Sequence, residues 1–245
     1  MSLQGKRALI TGAGSGIGRA TAVQMAGEGA EVYGLDVVEK NLRVTGELVQ
    51  QSGSKWNSVT ADVSDPSQIR DAIARVMRDW ERIDILVNVA GVVSLFPVTE
   101  MPDEEWDRVL RVNLYGTFYL CKAVVPGMVV RGGGSIVNVA SGKAFRGMRN
   151  GAHYSASKGG MVSFTYSLAD ELEGTGVRVN AVVPGNTATP MTEALRATRE
   201  QAGRPDLVLG QPPEDVGELI LFLASDKSRM INGQAVGRVR ERGKE

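Results

Sequence analysis

Tyr154 and Lys158 are the side chains of this 245-residue chain whose types and spacing most clearly suggest chemistry. They lie one helical turn apart, so on a helix both project from one face toward a common ligand. A phenol has a pKa of about 10 and is a poor base at neutral pH unless a neighbouring ammonium group stabilises the phenolate. The pair therefore predicts a site at which Tyr154 takes up or releases the proton of a substrate oxygen.

A glycine-rich segment near the start of the chain has the form of a phosphate-binding turn. Residues 10–18 read Ile-Thr-Gly-Ala-Gly-Ser-Gly-Ile-Gly, and they join a predicted strand at residues 6–11 to a predicted helix at residues 17–28. The first backbone N–H groups of such a helix point into the turn, where they can bind a pyrophosphate. The next predicted strand ends in Asp36, at roughly the 20-residue interval at which an acidic side chain binds the ribose hydroxyls of a dinucleotide. This order of elements predicts a dinucleotide site.

Strand-like apolar runs alternate with helix-like segments along the chain. The alternation predicts right-handed βαβ units and a doubly wound parallel sheet flanked by helices, which is a Rossmann-type α/β fold. We find no internal repeat and no linker, so we expect residues 1–245 to form a single domain. The predicted strands after the first are residues 31–36, 57–62, 84–89, 135–140 and 177–183, and the further predicted helices are residues 65–80, 102–130 and 155–173.

Candidate residues follow the end of each of these strands. In a doubly wound sheet, ligands bind in the crevice beyond the carboxyl ends of the strands. We therefore expect the following residues to line one crevice: Gly12, Asp36, Asp62 with Val63, Asn88 to Gly91, Ser141, and Pro184 with Gly185.

The overall composition excludes several other classes of protein. Lys plus Arg and Asp plus Glu are balanced at 28 each, and aromatic residues make up 5% of the chain, so no surface for nucleic acid is expected. Cys121 is the only cysteine, which excludes an intrachain disulfide and a cysteine-based metal site. No apolar run approaches the ~18 residues of a membrane span, and the first residues contain no apolar signal segment. We expect a cytoplasmic enzyme without a metal, membrane or nucleic-acid partner.

Two motifs together resemble the short-chain dehydrogenase/reductase family: T-G-x-x-x-G-x-G at residues 11–18 and Y-x-x-x-K at Tyr154 and Lys158. Asn113 and Ser141 complete the family's Asn-Ser-Tyr-Lys set. The resemblance implies hydride transfer between a nicotinamide cofactor and a secondary alcohol or ketone. In that reaction Ser141 holds the substrate oxygen, Tyr154 exchanges its proton, Lys158 also binds the nicotinamide ribose, and Asn113 helps to hold a water chain.

The resemblance extends over nearly the whole chain and implies a set of cofactor and substrate contacts. Residues 62–63 resemble the pair that contacts adenine, residues 88–91 read Asn-Val-Ala-Gly where the family has N-N-A-G, and residues 184–191 resemble P-G-x-x-x-T-P-M. The implied cofactor residues are Gly12, Ser15, Gly16, Ile17, Gly18, Asp36, Asp62, Val63, Asn88, Ala90, Gly91, Tyr154, Lys158, Pro184, Gly185, Thr187 and Thr189. The implied substrate residues are Ser94, Ser141, Lys143 and Tyr154.

Three functional hypotheses remain open at this point. The first is an NAD-dependent dehydrogenase, because Asp36 would repel the 2′-phosphate of NADP and residues 13–15 include no basic side chain. The second is a 3-oxoacyl thioester reductase of the same family, although such reductases usually use the phosphorylated cofactor. The third is a catalytically silent nucleotide-binding protein, against which the complete Asn-Ser-Tyr-Lys set argues.

The end of the chain departs from the family pattern. Where the family continues through a last strand into D-G-G, residues 235–245 read Ala-Val-Gly-Arg-Val-Arg-Glu-Arg-Gly-Lys-Glu, so residues 238–245 are expected to form a charged tail. The segment at residues 204–213 is also short. Both regions normally border the substrate or the subunit contacts in the family.

Two long predicted helices suggest that the chain forms an oligomer. Helices 104–130 and 155–173 carry apolar residues on more than one face, which by resemblance predicts a homodimer or homotetramer. These apolar residues include Val124, Val125, Met128, Met161, Phe164 and Tyr166.

The residues just before Tyr154 suggest the charge of the substrate. Lys143, Arg146 and Arg149 indicate a substrate with an anionic group, unless all three side chains are solvated. His153, the only histidine, adjoins Tyr154. Since neighbours on a helix face different ways, we expect no direct chemistry from His153.

Overall fold

Seven parallel strands form the centre of the computed structural model, which describes residues 1–201, 203 and 210–237. They pair in the order β3-β2-β1-β4-β5-β6-β7, where β1 is Arg7–Thr11, β2 Glu31–Asp36, β3 Trp56–Thr60, β4 Ile85–Asn88, β5 Gly134–Val139, β6 Val177–Val183 and β7 Ala235–Gly237. The strand order reverses between β1 and β4, and this reversal creates the crevice in which a doubly wound sheet binds its ligand.

Helices cover both faces of this sheet. In chain order they are α1 (Gly16–Gly27), α2 (Glu39–Gln51), α3 (Pro66–Trp80), α4 (Asp103–Leu110), α5 (Gly116–Val130), α6 (Lys143–Arg146), α7 (Ala152–Glu171), α8 (Pro190–Gln201) and α9 (Pro213–Ala224). A π-helical turn at Arg111–Tyr115 joins α4 to α5.

Alternation along the central strands divides the core into two layers. Ile10 of β1 packs with α1, α2 and α9 on one face, whereas Leu9 packs with α3, α5 and α7 on the other. Both side chains are fully buried, as expected for a parallel strand covered on both faces. The core therefore holds the strands rigidly and leaves their carboxyl ends to form the site.

The structure confirms the Rossmann-type fold class and the six predicted strands to within about two residues at each end. Residues 102–130 were predicted as one helix, but the π turn divides them because the hydrogen-bond pattern changes at Arg111–Tyr115. The sequence analysis gave no bounds for helices α2, α6, α8 and α9. Asp65 caps α3 by accepting hydrogen bonds from the N–H groups of Ser67 and Gln68.

A short last strand lies within the segment that departs from the family pattern. Strand β7 pairs with β6 through Ala235–Gly237, whereas the predicted charged tail at residues 238–245 lies outside the described residues, as do residues 204–209. Within the described part of the chain, no helix combines the length and the apolar composition needed to cross a bilayer. Cys121 is buried in the core.

Candidate active site

A cavity of about 1020 Å³ opens at the carboxyl ends of the strands. It extends from the ends of β2 and β3, past β1 and β4, to the ends of β5 and β6, and the N-terminal part of α7 closes one side. All six strand ends selected from the sequence contribute to its lining. Its position is therefore that of the ligand crevice in a doubly wound sheet.

Close backbone packing explains the glycines that follow β1. Gly12 has a φ of +64°, and a Cβ there would lie 2.9 Å from the backbone nitrogen of Ala90. A Cβ on Gly18 would overlap the carbonyl oxygen of Gly12. Because no side chain fits at these positions, the backbone of the turn and the first residues of α1 border the cavity directly, which suits a phosphate group.

The Asp36 carboxylate lies at the end of β2, on the wall of the cavity. One of its oxygens accepts a hydrogen bond of 3.0 Å from the backbone N–H of Gly14. The other accepts one of 3.0 Å from the N–H of Val38. Each oxygen keeps a further lone pair, so the carboxylate can still accept hydrogen bonds from ribose hydroxyls.

The segment after β4 forms the opposite wall and is held at several points. The Thr11 hydroxyl accepts hydrogen bonds of 3.1 Å from the N–H groups of both Val89 and Ala90. The side chain of Asn113, fully buried in the π turn, bonds to both the N–H and the carbonyl group of Val92. Its amide also donates to the Ser157 hydroxyl at 3.0 Å. Asn113 thus ties this wall to α7.

Lys158 and Tyr154 lie together at the far end of the cavity. The Lys158 ammonium lies 5.9 Å from the centre of the Tyr154 ring and donates a hydrogen bond of 2.7 Å to the carbonyl oxygen of Val139. Burial lowers the pKa of Lys158 to about 8. Burial raises the pKa of the Tyr154 phenol, and a hydrogen bond from Ser141 partly opposes that rise.

This arrangement can hold and protonate a substrate oxygen. At neutral pH Lys158 is mostly protonated, so its charge favours the phenolate of Tyr154 against the effect of burial. Ser141 and Tyr154 both line the cavity, so their hydroxyl groups can meet one oxygen atom between them. The site can therefore exchange a proton with an alcohol or a carbonyl group.

Most of the residues predicted for the cofactor and the substrate line this cavity. They are Gly12, Ser15, Gly16, Ile17, Asp36, Asp62, Val63, Ala90, Gly91, Ser141, Lys143, Tyr154, Lys158, Pro184, Gly185, Thr187 and Thr189.

Four predicted residues lie behind the lining instead. Gly18 packs against the turn, and Asn88 is buried with its amide donating at 2.8 Å to Asn138. Asn113 supports the wall as described above. The Ser94 hydroxyl bonds to Glu105 and His153 rather than facing the cavity. These residues shape the cavity through the backbone or through neighbouring side chains.

Several lining residues were missed by the sequence analysis. Val37 and Val38 directly follow Asp36, and their position alone could have indicated them. Asn41 of α2 and Arg108 of α4 also line the cavity, but no sequence signal shows which way these helices face. Lys143 lies in the first turn of α6.

A Rossmann-type sheet whose crevice combines a glycine turn with a tyrosine–lysine pair defines a dinucleotide-dependent oxidoreductase as the class of protein. The family model described as short chain dehydrogenase matches residues 6–200. This chain belongs to the short-chain dehydrogenase family, whose members use a nicotinamide cofactor.

Individual relatives and solved structures agree with this assignment. The chain is 41% identical over 239 residues to the 3-oxoacyl-[acyl-carrier-protein] reductase FabG of Thermotoga maritima, covering 97% of both chains. It is 37% identical to the 2-dehydro-3-deoxy-D-gluconate 5-dehydrogenase of Bacillus subtilis, covering 95% of this chain and 92% of that one. The crystal structure of levodione reductase superimposes with a TM-score of 0.91 at 31% identity and 96% coverage of both chains. That of NAD⁺-bound xylitol dehydrogenase gives 0.91 at 29% identity, with 97% and 98% coverage.

Proposed function

We propose that this chain is an NAD-dependent oxidoreductase that interconverts a secondary alcohol and a ketone. The observation that carries the proposal is the meeting of Ser141, Tyr154 and Lys158 at one end of the cavity, with a phosphate-binding turn and the Asp36 carboxylate toward the other end. A proton-transfer group and a dinucleotide site within one cavity are the two parts that such a reaction needs.

The residues present fit a nicotinamide dinucleotide. The glycine turn excludes side chains where a pyrophosphate would approach the backbone. Asp36 would accept hydrogen bonds from the adenosine ribose, and Asp62 with Val63 would contact the adenine. Thr187 and Thr189 would meet the carboxamide of the nicotinamide, and Lys158 its ribose. When bound, this group accepts or supplies the hydride.

The chain's own residues then move the proton. In alcohol oxidation the Tyr154 phenolate removes the hydroxyl proton, and in ketone reduction the phenol returns it. Lys158 stabilises the phenolate electrostatically, because its ammonium is held close to the ring by the carbonyl of Val139. Ser141 fixes the substrate oxygen by a hydrogen bond. Asn113 would help to hold a water chain to solvent.

The charges of the cavity support NAD rather than NADP. Asp36 presents a carboxylate where the 2′-phosphate of NADP would lie, and like charges repel. Within the described residues, the cations of the lining, Arg108, Lys143, Arg146 and Lys158, all belong to segments after β4. Outside the lining, the guanidinium of Arg19 in α1 donates a hydrogen bond to the carbonyl oxygen of Gly14. The NAD⁺-bound relative is in line with this preference.

A second candidate is 3-oxoacyl thioester reduction. The similarity to FabG of Thermotoga maritima favours it, whereas Asp36 argues against it if such reductases require the phosphorylated cofactor. The two candidates differ in substrate and cofactor but share the same proton-transfer residues.

A panel of secondary alcohols, ketones and a 3-oxoacyl thioester, each with NAD(H) and NADP(H), distinguishes the two candidates by the absorbance of the reduced nicotinamide. Tyr154→Phe should lose on the order of a hundredfold or more of the rate while binding NAD as tightly as the wild type. A variant that kept more than about a tenth of the rate would contradict the role of Tyr154.

The remaining parts of the proposal concern partners. We propose a small-molecule substrate and a homodimer or homotetramer, since family members typically are oligomers that act on small molecules. A cytoplasmic location stays a prediction.

A further inference from the structure

Ser94 lies directly behind the cavity wall in a cluster of polar side chains that the proposed mechanism does not use. Its oxygen lies 2.8 Å from Nε2 of His153, and its hydroxyl donates a hydrogen bond to Oε1 of Glu105. Glu105 accepts two further bonds of 2.7 Å from the guanidinium of Arg108. These four side chains, called here the Ser94 network, join the loop after β4 to α4 and to α7.

The direction of each hydrogen bond in the Ser94 network follows from the charge of Glu105. The bonds from Arg108 are the largest cause that holds the pKa of Glu105 at about 2, far below its usual range. An ionised carboxylate only accepts hydrogen bonds, so the single hydroxyl proton of Ser94 must point to Glu105. The Ser94 oxygen must then accept from His153, which requires the proton of the imidazole to be on Nε2.

The other ring nitrogen of His153 supports the same tautomer. His153 is fully buried, and among the described residues Nδ1 has no hydrogen-bond partner. A second proton would place an N–H group where nothing accepts it, at a cost in free energy. Burial lowers the pKa of His153; the charged groups that act on it are Glu105 and Arg108, which have opposite effects. The ring is therefore held neutral with a bare Nδ1.

The Ser94 network meets the cavity at three points. Val93, immediately before Ser94, lines the cavity. Tyr154, immediately after His153, carries the proposed proton transfer. Arg108 lines the cavity directly. A displacement of any member therefore shifts the substrate end of the cavity, whereas the glycine turn and Asp36 lie on other elements.

We propose that Glu105, Ser94 and His153 are positioning residues, which hold the wall at Val92 and Val93 against the start of α7 and so set the fit of the substrate beside Tyr154. This inference rests on the proposed function for its effect on turnover, but not for the hydrogen bonds themselves. Neither Ser94 nor His153 takes part in the chemistry, and Ser94 makes no substrate contact. The network acts on substrate binding rather than on cofactor binding.

The tautomer of His153 can be measured directly. The chain contains one histidine, so the imidazole ¹⁵N NMR spectrum of the tag-free protein reports this residue alone. We expect a protonated Nε2 and a bare Nδ1, with no titration between about pH 8 and pH 6. A proton on Nδ1, or a titration at the ordinary pKa of about 6.5, would overturn the proposal.

Two substitutions at position 153 separate positioning from simple filling of space. His153→Gln retains an N–H donor for Ser94, whereas His153→Leu fills similar volume without one. With the best alcohol of the panel, His153→Leu and Ser94→Ala should each raise KM about tenfold, which corresponds to about 1.4 kcal/mol. The change in kcat should be smaller, and the Kd for NAD by calorimetry should stay within about twofold. In His153→Gln, KM should stay much closer to the wild-type value than in His153→Leu.

Equal KM values for the Gln and Leu variants, or an unchanged KM in Ser94→Ala, would overturn the positioning role. If no compound in the panel is turned over, the proposed function fails, and the methyl NMR signals of Val92 and Val93 then decide the inference. They should shift in His153→Leu and return toward wild type in His153→Gln. Unshifted methyl signals of Val92 and Val93 in His153→Leu would contradict the positioning role.

Discussion

The backbone N–H of Gly14 donates a hydrogen bond of 3.0 Å to the Asp36 carboxylate, across the edge of the cavity. A Cβ on Gly14 would lie 2.8 Å from the same carboxylate oxygen and 2.8 Å from Cβ of Asn41. The bond therefore depends on glycine at this position, because any side chain would displace Asp36 or α2. The turn after β1 and the acidic residue after β2 form one unit at the proposed adenosine end of the site.

Asp36→Ala is expected to narrow the preference for NAD over NADP by about tenfold or more, since it removes both the acceptor for the ribose hydroxyls and the repulsion of a 2′-phosphate. Gly14→Ala should weaken NAD binding by displacing the same carboxylate. Calorimetric titration with each cofactor measures both effects. Glu39→Ala, an exposed acid at the start of α2 that does not line the cavity, is the matched control. Equal or tighter binding of NADP by the wild type contradicts the assignment.

Lys158→Met is expected to stabilise the cofactor-free protein at pH 7 while abolishing turnover and weakening NAD binding. The pKa of Lys158 is about 8 in the folded state, compared with 10.5 when unperturbed. Between pH 8 and pH 10.5 the unfolded state therefore binds more protons than the folded state. Wild-type stability should therefore rise with pH across this window, and below pH 8 the buried charge costs on the order of 3 kcal/mol.

Thermal melts at pH 7 and pH 10 check this prediction. The variant should melt a few degrees above the wild type at pH 7, because about 2–4 °C accompanies each kcal/mol in a chain of this size. Loss of the hydrogen bond to Val139 offsets part of this gain in stability. The difference in melting temperature between the variant and the wild type should shrink at pH 10. Lys40→Met, at an exposed position, should show neither effect. A lower melting temperature for Lys158→Met at pH 7 would argue against a burial cost.

Phe118→Glu is expected to dissociate the oligomer. Tyr115 and Phe118 are exposed on the π turn and α5, and Tyr166 is exposed on α7. We expect these side chains to contribute to a subunit contact. A glutamate placed in a buried apolar interface would be desolvated without a partner. Sedimentation at micromolar concentration should show a dimer or tetramer for the wild type and a smaller species for the variant. Val130→Glu, at an exposed end of the same helix, is the control. A monomeric wild type refutes the assembly.

Lys143→Met is expected to reduce a preference for substrates with a carboxylate. Lys143 and Arg146 line the cavity, whereas Arg149 does not, so Arg149→Met is the matched control. A hydroxy acid should therefore be oxidised with a higher kcat/KM than its methyl ester, by about tenfold. A wild type that favours the ester would remove the basis for this prediction.

The prediction of an oligomer shows that apolar patterns on a helix do not by themselves identify the residues of a subunit contact. Val124, Met128 and Met161 were among the apolar residues on which the prediction rested, but the structure buries them in the core of this chain. Phe164 is partly buried, and Tyr166 alone of the expected residues is among the exposed large apolar side chains. A helix packed both against the sheet and against a neighbouring helix buries a wide arc, so apolar breadth alone does not reveal a subunit contact.

The sequence by itself determined the fold class and the edge of the sheet at which the cavity lies. Buried parallel strands appear as continuous apolar runs, and their carboxyl ends must meet at one edge, so Gly12, Asp36 and Ser141 could be placed together without coordinates. Tyr154 and Lys158 were identified through the resemblance to the family's Asn-Ser-Tyr-Lys set, and helical spacing explains why both project from one face. Placing the strand ends together needs only local geometry and the rule that orders such a sheet.

Only the tertiary structure decided which side chains lie behind the cavity wall and support it. Whether Ser94 faces the substrate or the core depends on how α4 approaches α7, and this in turn depends on packing between segments far apart in the chain. The same packing brings Glu105 within bonding distance of Ser94 and buries His153 beside the proposed catalytic tyrosine. No spacing rule links residues 94, 105 and 153, since each belongs to a different element whose rotation is set by the shared core.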